Sequence, residues 1–258
     1  MINGIIVLVG VGIAGVVMGA LSQRRKAAMA RARTIGCADL PNVAGKNKPV
    51  TLEVTGTPGA GKGMLTAPFS GTPCVWYRTT VTHRYRERRR GPRDPEWVTK
   101  NEKVAEEVSQ EPISITDVSG SVWVYPKGAK IIGATETVDR FEHGPLGAKN
   151  TPASGSPGER ALSMVREALR RHTDNTIGYR YQEWVLRAEG ELYVLAGARR
   201  DQKGVSWLER PASGPFLIST KSEDQLASRA RLGVILGYGI AAAALAGAVA
   251  LGVTAALS

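Results

Sequence analysis

The sequence predicts an α+β membrane protein in which two transmembrane helices flank a small, mostly antiparallel β barrel or sandwich with one or two helices. Two uncharged apolar runs predict the spans, because Ile2 to Ser22 and Leu232 to Leu257 each exceed the roughly 20 residues that cross a bilayer. The β domain is predicted from the chain between them, where short stretches rich in β-branched and aromatic residues alternate with glycine and proline turns.

This pattern divides the chain into segments. They are a first transmembrane helix over 1–23, a basic juxtamembrane helix and linker over 24–48, a β-rich soluble domain over 49–221, a connecting helix over 222–231 and a second transmembrane helix over 232–258. A cleaved signal peptide is the alternative for the first span, but the basic residues Arg24, Arg25 and Lys26 follow the apolar run instead of preceding it. We therefore expect a retained anchor.

Glycine is frequent in both apolar runs. Because small residues permit close helix packing, we expect the two helices to pair with each other or to mediate homo-oligomerisation. The alternative is that glycine is simply common in membrane spans.

The net charge of +11 lies between the spans. Basic residues follow the first span at Arg24 to Arg33 and precede the second at Arg229 and Arg231. Such residues favour the cytoplasmic side, and anionic headgroups attract each of them by about 1 kcal/mol. We predict a two-span protein of an inner or plasma membrane, with the soluble domain in the cytoplasm and membrane lipids as a partner. Arginine outnumbers lysine, which suits a bacterial gene.

The β domain is predicted to open with hairpins. Val50 to Val54 alternates apolar and polar residues, as a half-buried strand does. The Pro68 to Pro73 turn joins two apolar runs, and the second run continues as a strand to Val81. The strand extends into an arginine-rich arm from Thr80 to Arg93, and Trp97 marks its return.

In the second half of the β domain the spacing of apolar residues changes once, from that of a strand to that of a helix. Ile113 to Val124 alternates across a turn at Asp117 to Ser121 and predicts another hairpin. Phe141 to Pro157 predicts a loop, and apolar residues at helical spacing predict a helix near Gly158 to Arg171. Further strands are predicted at Tyr179 to Leu186 paired with Glu191 to Ala196 around Glu189-Gly190, at Trp207-Leu208 and at Phe216 to Ile218, and Ser222 is predicted to cap the last helix.

Four stretches resemble the GIDE family, also called the BAM (beside a membrane) domain: Pro73 to Arg78, Ile113 to Ala129, Tyr181 to Gly197 and Pro215 to Ser219. The family is known best from a mitochondrial outer-membrane RING ubiquitin ligase. The resemblance implies a recognition domain at a membrane and a structural role for the motif residues. These are Pro73, Cys74, Val75, Trp76, Tyr77, Arg78, Asp117, Gly120, Glu183, Gly190 and Gly197.

A RING finger is not expected in this sequence. Two tetrahedral zinc ions need more Cys and His ligands than the two cysteines and three histidines present. These are Cys37, Cys74, His83, His143 and His172, and no two have the spacing of a zinc knuckle. We expect a non-catalytic recognition or scaffold module in membrane-linked signalling or stress response, with an unknown protein partner and no metal or cofactor. The alternative is a ubiquitin-ligase-like function with a catalytic partner supplied in trans.

Gly56 to Gly63 (GTPGAGKG) fits the pattern of a phosphate loop and predicts a nucleotide binder as a further alternative. However, Gly63 and Met64 stand where a hydroxyl would bind magnesium. Pro68 also leaves no room for the helix whose N-terminus would hold the phosphates. We prefer a glycine-rich β turn.

Cys74 is the remaining nucleophile candidate. A catalytic thiol needs a nearby base, and an odd separation along a strand places His83 on the opposite face. We therefore predict a buried structural cysteine.

The arginine-rich arm is the candidate binding site. Its basic residues are Arg84, Arg86, Arg88, Arg89, Arg90 and Arg93. They could bind a protein, anionic lipid or nucleic-acid phosphates. The membrane tether and the single aromatic residue of the arm, Tyr85, argue against nucleic acid.

Overall fold

The structure is a computed structural model, and it describes residues 2–89, 96–143 and 175–257. The predicted helix near Gly158 to Arg171, and the arm residues Arg90 and Arg93, lie outside the described residues. Within the described part the protein is a mixed α+β structure with a long apolar helix at each end.

Three α-helices and one short 3-10 helix lie in the described residues. Helix α1 spans Ile2–Arg31, α2 spans Leu40–Val43 and α3 spans Glu223–Leu257, and the 3-10 helix spans Cys37–Asp39. The predicted cap of α3 is confirmed, because the Ser222 hydroxyl accepts a hydrogen bond of 3.4 Å from a backbone N–H of the first turn.

Most strands between the long helices are short, as predicted. The strands are β1 (Arg33–Thr34), β2 (Val50–Ala60), β3 (Leu65–Thr66), β4 (Pro73–Cys74), β5 (Trp76–Arg89), β6 (Glu96–Val108), β7 (Ile113–Thr116), β8 (Ser121–Val124), β9 (Lys130–Ile132), β10 (Thr135–His143), β11 (Thr176–Leu186), β12 (Leu192–Arg200), β13 (Ser206–Glu209) and β14 (Leu217–Ser219). Strands β2, β5, β6 and β11 are longer than predicted, with 11 to 14 residues each.

The strands form three sheets within the described residues. The largest has the order β1-β2-β7-β8-β13-β12-β14-β9, and a further pairing of β2 with β12 closes five strands into a small barrel. The second sheet has the order β10-β11-β5-β6, and the third is the β3-β4 hairpin. Parallel pairing joins β1 to β2 and β14 to β9, whereas the second and third sheets are antiparallel. The predicted barrel alternative and its mostly antiparallel character are thus confirmed.

The described chain divides into two compact units, one made of 1–55, 128–132 and 192–258 and the other of 56–127 and 133–191. In the first unit, Met29 of α1 and Leu226 of α3 pack with Tyr193, Leu195 and Leu217 in one buried cluster. This cluster joins the inner ends of both long helices to β12 and β14.

The second unit has its own apolar clusters. Val81, Ala105, Tyr179 and Tyr181 form one of them, on β5, β6 and β11. Another contains Cys74 and Tyr77 with Ala67 and Val185. The predicted hairpin turn lies beside it, where the Gly71 N–H donates to the Ala67 carbonyl at 2.9 Å.

Helices α1 and α3 pack against each other through glycine. A Cβ on Gly15 would lie 2.7 Å from the carbonyl oxygen of Gly237, and one on Gly237 would lie 2.5 Å from the amide nitrogen of Gly19. Further toward the C-terminal end of α1, the Tyr238 hydroxyl donates to Oε1 of Gln23 at 3.0 Å. The predicted pairing of the two helices is confirmed, and homo-oligomerisation stays a prediction.

Both long helices of the described chain are long and apolar enough to cross a membrane, with candidate spans Ile6–Ala30 and Glu223–Ala250. Only 17% of the most apolar window of each is buried inside the structure. A core helix of a soluble protein would be buried on all its apolar faces. These exposed apolar surfaces fit a membrane protein.

One predicted strand pairing is wrong. The strands near Tyr179–Leu186 and Glu191–Ala196 exist as β11 and β12, but they do not pair with each other. Both edges of β11 are occupied, by β10 and by β5, while β12 pairs with β13 and β14. The positive φ of Gly190 (+73°) provides the expected turn between them.

The predicted loop from Phe141 to Pro157 also needs correction at its start. Phe141 to His143 end strand β10, because Phe141 pairs with Arg180 and Glu142 pairs with Tyr179 in the ladder with β11. Backbone pairing here overrides the glycine and proline content of the stretch that follows, which lies outside the described residues.

Candidate functional site

The arginine-rich arm is a ribbon made by the far ends of β5 and β6. The two strands pair from Arg78↔Val108 to Arg89↔Glu96. On its other edge β5 pairs with β11 only as far as Thr176↔Tyr85. One further backbone hydrogen bond, from the Arg86 N–H to the Asn175 carbonyl at 2.9 Å, continues this edge. Past it, β6 is the paired neighbour of β5 among the residues that the structure describes.

The register places three arginines on one face of the ribbon. Arg84, Arg86 and Arg88 stand at alternate positions of β5, and alternate side chains of a strand share a face. Trp97 joins them, because it is the ladder partner of Arg88 and directly opposed residues project to the same side. We call these four residues the cationic face.

The side chains of the cationic face are accessible. All three arginines are exposed, and Trp97 is 53% exposed. The Arg84 guanidinium lies over the Phe141 ring, 5.9 Å from its centroid. Within the described residues no carboxylate forms an ion pair with Arg86 or Arg88.

The other face of the ribbon is nearly neutral. Glu87 forms an ion pair with Lys100, and this contact raises the pKa of the Lys100 ammonium. Arg89 is the ladder partner of Glu96. In the part of the ribbon that the structure describes, the excess of positive charge therefore lies on the cationic face.

The base of the ribbon is tightly packed. His83 is 1% exposed, and its ring is stacked between Tyr85 and Tyr179 with centroid distances of 4.9 Å and 4.8 Å. Its Nε2 lies 3.0 Å from the hydroxyl oxygen of Thr176. The buried, stacked and hydrogen-bonded imidazole thus packs β5 against β11.

Motif residues on β4 and β5 lie in the core around Cys74, which is fully buried. Burial, with a smaller contribution from the charge of Glu183, raises the pKa of the Cys74 thiol to about 11, so the thiolate needed by a nucleophile is disfavoured. Trp76 and Tyr77 are 5% and 6% exposed. Pro73 pairs with Thr66 on β3. At the surface, Arg78 binds Glu106 at 2.6 Å.

Glu183 holds a turn through a buried carboxylate. Its oxygens accept hydrogen bonds from the backbone N–H groups of Phe69 at 2.6 Å and Ser70 at 3.2 Å, and from the Thr137 hydroxyl at 2.7 Å. The side chain is 0% exposed. Three donors satisfy a charge that would otherwise be costly to bury.

The other motif positions lie in turns or at close backbone contacts. Asp117 Oδ1 accepts from the N–H groups of Ser119 at 2.7 Å and Gly120 at 3.0 Å, so it closes the β7–β8 hairpin. A Cβ on Gly197 would lie 2.6 Å from the Cβ of Pro49 and 2.8 Å from the Cα of Pro211.

The structure has neither a phosphate loop at Gly56 to Gly63 nor, over Gly56 to Ala60, the β turn that we preferred. Gly56 to Ala60 form the end of strand β2, and a bend at 61–63 leads into β3 instead of a helix. A Cβ on Gly61 would lie 2.2 Å from the Pro112 carbonyl oxygen, so glycine serves the close approach of two backbones. The Lys62 side chain is 77% exposed and lies 4.0 Å from Glu111.

Sequence reasoning missed a buried pair on β2 and β12. Glu53 is 1% exposed, and one carboxylate oxygen accepts a hydrogen bond from the Tyr193 hydroxyl. The other accepts from the Thr34 hydroxyl at 3.4 Å. The available signal was a lone glutamate between Leu52 and Val54, which a strand period alone assigns to the solvent face.

The described residues include no group of three or more His, Cys, Asp or Glu side chains that could hold a metal ion. Residues 81–252 match the family model described as GIDE: E3 Ubiquitin ligase, which is more than half of the 258-residue chain. Three of the four stretches that carry the resemblance lie within this match, and Pro73 to Arg78 precedes it. No curated protein and no solved structure matches the chain.

Proposed function

Since this chain belongs to the GIDE family, described as E3 ubiquitin ligase, we propose that it is a membrane-anchored, non-catalytic recognition module. It binds an acidic protein partner through the cationic face, in membrane-linked signalling or stress response. Its soluble domain faces the cytoplasm. A catalytic subunit supplied in trans would give the same module a ligase-like role, which is the alternative that the family description favours.

The observation that carries the proposal is the unequal charge of the two ribbon faces. Arg86 and Arg88 have no acidic partner among the described side chains, and Trp97 is half exposed beside them. Tryptophan and arginine are the residues most enriched among those that dominate protein–protein binding. An exposed tryptophan beside arginines also suits single-stranded nucleic acid, whose bases stack on aromatic rings, so nuclease treatment is needed to separate the two ligands.

The packed base of the ribbon supports the same function. The described part of the ribbon continues past the last β11 pair from a core that contains Tyr179 and Tyr181, and His83 stacks on Tyr179. A backbone that is already paired at the base loses less entropy on binding, and this favours recognition.

The test is proximity crosslinking of the full chain in native membranes, with paired variants. Arg86→Gln with Arg88→Gln removes two positive charges from the cationic face, and Arg89→Gln with Lys100→Gln removes two from the opposite face. If each lost arginine costs about 1 kcal/mol, capture of the partner falls roughly 30-fold in the first variant. We expect near wild-type capture in the second.

Rebinding of the identified partner in rising salt completes the experiment, with Trp97→Ala as a third variant. Equal loss from both pairs of substitutions would show a general charge effect and contradict the proposal. Capture abolished by nuclease would instead identify nucleic acid as the ligand.

A further inference from the structure

A pocket of about 450 Å³ lies in the unit that contains both long helices. It is lined by Leu21 and Arg24 of α1, by Lys130 of β9, and by Arg210 and the segment that leads into β14. Its volume lies within the range of small-molecule sites in proteins. The pocket is distinct from the cationic face, which belongs to the other unit.

The charge lining the pocket is entirely positive. Arg24, Lys130 and Arg210 all line it, and none of the side chains that line it is acidic. All three residues are exposed. Three cations around one concavity favour an anionic ligand, and arginine fits phosphate oxygens with two parallel hydrogen bonds.

The pocket has an apolar side where the uncharged run of α1 ends. Leu21 belongs to the uncharged run of α1 and is 50% exposed. Arg24 follows it by three residues, so the two side chains share one face of the helix, about one turn apart. An amphiphile could place its chain beside Leu21 and its charged group beside Arg24.

The other wall is shaped by ordered backbone. The Lys130 N–H donates to the Phe216 carbonyl at 2.8 Å and holds β9 against the segment before β14. Gly128 and Gly214 have φ angles of +82° and +92°, which only glycine adopts readily. A Cβ on Gly128 would lie 3.4 Å from Nη1 of Arg210, so the absent side chain leaves room for the guanidinium.

We propose that this pocket binds the headgroup phosphate of an anionic phospholipid from the bilayer that contains α1. A soluble phosphate compound shares the charge but has no use for the exposed Leu21 at the rim. Basic pockets beside membrane helices on the cytoplasmic side are a recognised form of lipid-specific site.

The test uses the full chain, first confirmed as membrane-embedded by its resistance to carbonate extraction, and then purified in detergent from vesicles of equal phosphatidylglycerol and phosphatidylcholine. Native mass spectrometry measures which lipid stays bound. We expect phosphatidylglycerol to be retained preferentially. Each substitution in the set Arg24→Gln, Lys130→Gln and Arg210→Gln should reduce that preference roughly fivefold.

The matched control is a set of three single variants, Lys221→Gln, Arg229→Gln and Arg231→Gln, each of which removes one positive charge near the start of α3. None of these three residues lines the pocket, so the control should keep most of the preference. Inorganic phosphate and glycerol 1-phosphate, added separately at millimolar concentration, should not displace the bound lipid.

Several outcomes would overturn the proposal. They are extraction of the chain by carbonate, absence of a preference for phosphatidylglycerol, an equal loss in both sets of variants, and displacement of the lipid by either soluble phosphate. If the ribbon variants lose the acidic protein partner but retain the lipid as the wild type does, the cationic face and the pocket are independent sites.

Discussion

Replacing Tyr193 with phenylalanine removes one hydroxyl from the most buried acidic site of the unit that holds both long helices. That hydroxyl donates to Glu53, whose side chain is 1% exposed, and Tyr193 itself is 3% exposed. The ring would keep its place in the cluster with Met29 and Leu226. The substitution therefore isolates the hydrogen bond from the packing.

The expected cost is set by the loss of one partner from a buried carboxylate. Thr34 remains as a donor at 3.4 Å, a weak contact for a charged acceptor. Leaving such a group short of a partner costs about 1–3 kcal/mol. For a chain of this size that corresponds to a fall in the unfolding midpoint of roughly 3–10 °C.

The effect depends on pH in a direction fixed by the pKa of Glu53. Burial raises the pKa of Glu53 above its ordinary value, the charge of Glu223 raises it further, and the hydrogen bonds from Tyr193 and Thr34 oppose this rise. The folded state therefore binds this proton more tightly than the unfolded state does. The contribution of Glu53 to stability is therefore greatest below the pKa that Glu53 has in the unfolded chain. It is lost as the pH rises through the pKa that Glu53 has in the folded protein.

Without the Tyr193 hydroxyl the pKa of Glu53 rises further, so the pH range over which the contribution of Glu53 to stability is lost extends to higher pH. The midpoint difference between wild type and Tyr193→Phe should be larger at pH 7.5 than at pH 4.5. Thermal melts followed by tryptophan fluorescence, on the full chain in detergent, measure it at both pH values. Glu53→Gln keeps an acceptor and removes the charge, so it should flatten the dependence on pH.

The exposed Tyr125 (47% exposed) gives the control, because Tyr125→Phe removes a hydroxyl without changing a buried acid. A midpoint difference for Tyr193→Phe that is equal at both pH values would refute the argument. So would a Glu53→Gln variant whose melting varies with pH as in the wild type, since the charge of Glu53 would then have no effect on stability.

Three further predictions follow from contacts on the other elements. Glu183→Gln should reduce the free energy of unfolding by about 2–3 kcal/mol, because a neutral amide accepts the two backbone N–H bonds less strongly and adds an unpaired donor. The same thermal melts measure the resulting fall in the unfolding midpoint. Gly15→Ala should weaken the pairing of the long helices, because its Cβ would lie 2.7 Å from the Gly237 carbonyl oxygen, whereas Gly10→Ala has nothing within 4 Å and should be neutral or slightly stabilising. Disulfide crosslinking between cysteines placed on the two helices distinguishes these variants, and equal crosslinking in both would contradict the contact. Lys62→Ala should leave partner capture unchanged. Neither the wild type nor this variant should bind ATP in equilibrium dialysis, because the glycine-rich stretch ends a strand and does not open a helix. ATP binding by the wild type that is lost in the variant would contradict this and indicate a nucleotide site.

The composition of the arm was readable from the sequence, but which residues of β6 join each face of the ribbon was not. Alternation along β5 groups Arg84, Arg86 and Arg88. The addition of Trp97, and the pairing of Glu87 with Lys100 on the opposite side, depend on the register between β5 and β6. Register is set by the connecting turn and by packing on both strands, which no local pattern encodes.

The same limit explains the strand pairing that was predicted wrongly. The segment around Gly190 contains a turn, as expected, and the strands on both sides of it exist. Neighbours in sequence often pair, but β11 is already paired along both edges with β5 and β10. Which strands occupy an edge is decided by long-range contacts, so β12 pairs elsewhere.

By itself the sequence determined the features that depend on nearby residues: two long apolar helices, the turn at Asp117, the Ser222 cap and the failure of Gly56–Gly63 to open a helix. Each rests on hydrogen bonds or side-chain spacing within a few residues. Only the tertiary structure decided that Glu53 is buried against Tyr193, and which basic side chains line a pocket beside α1. Those arrangements join residues more than a hundred positions apart in the chain. Their energy comes from desolvation and packing that exist only once the chain has folded.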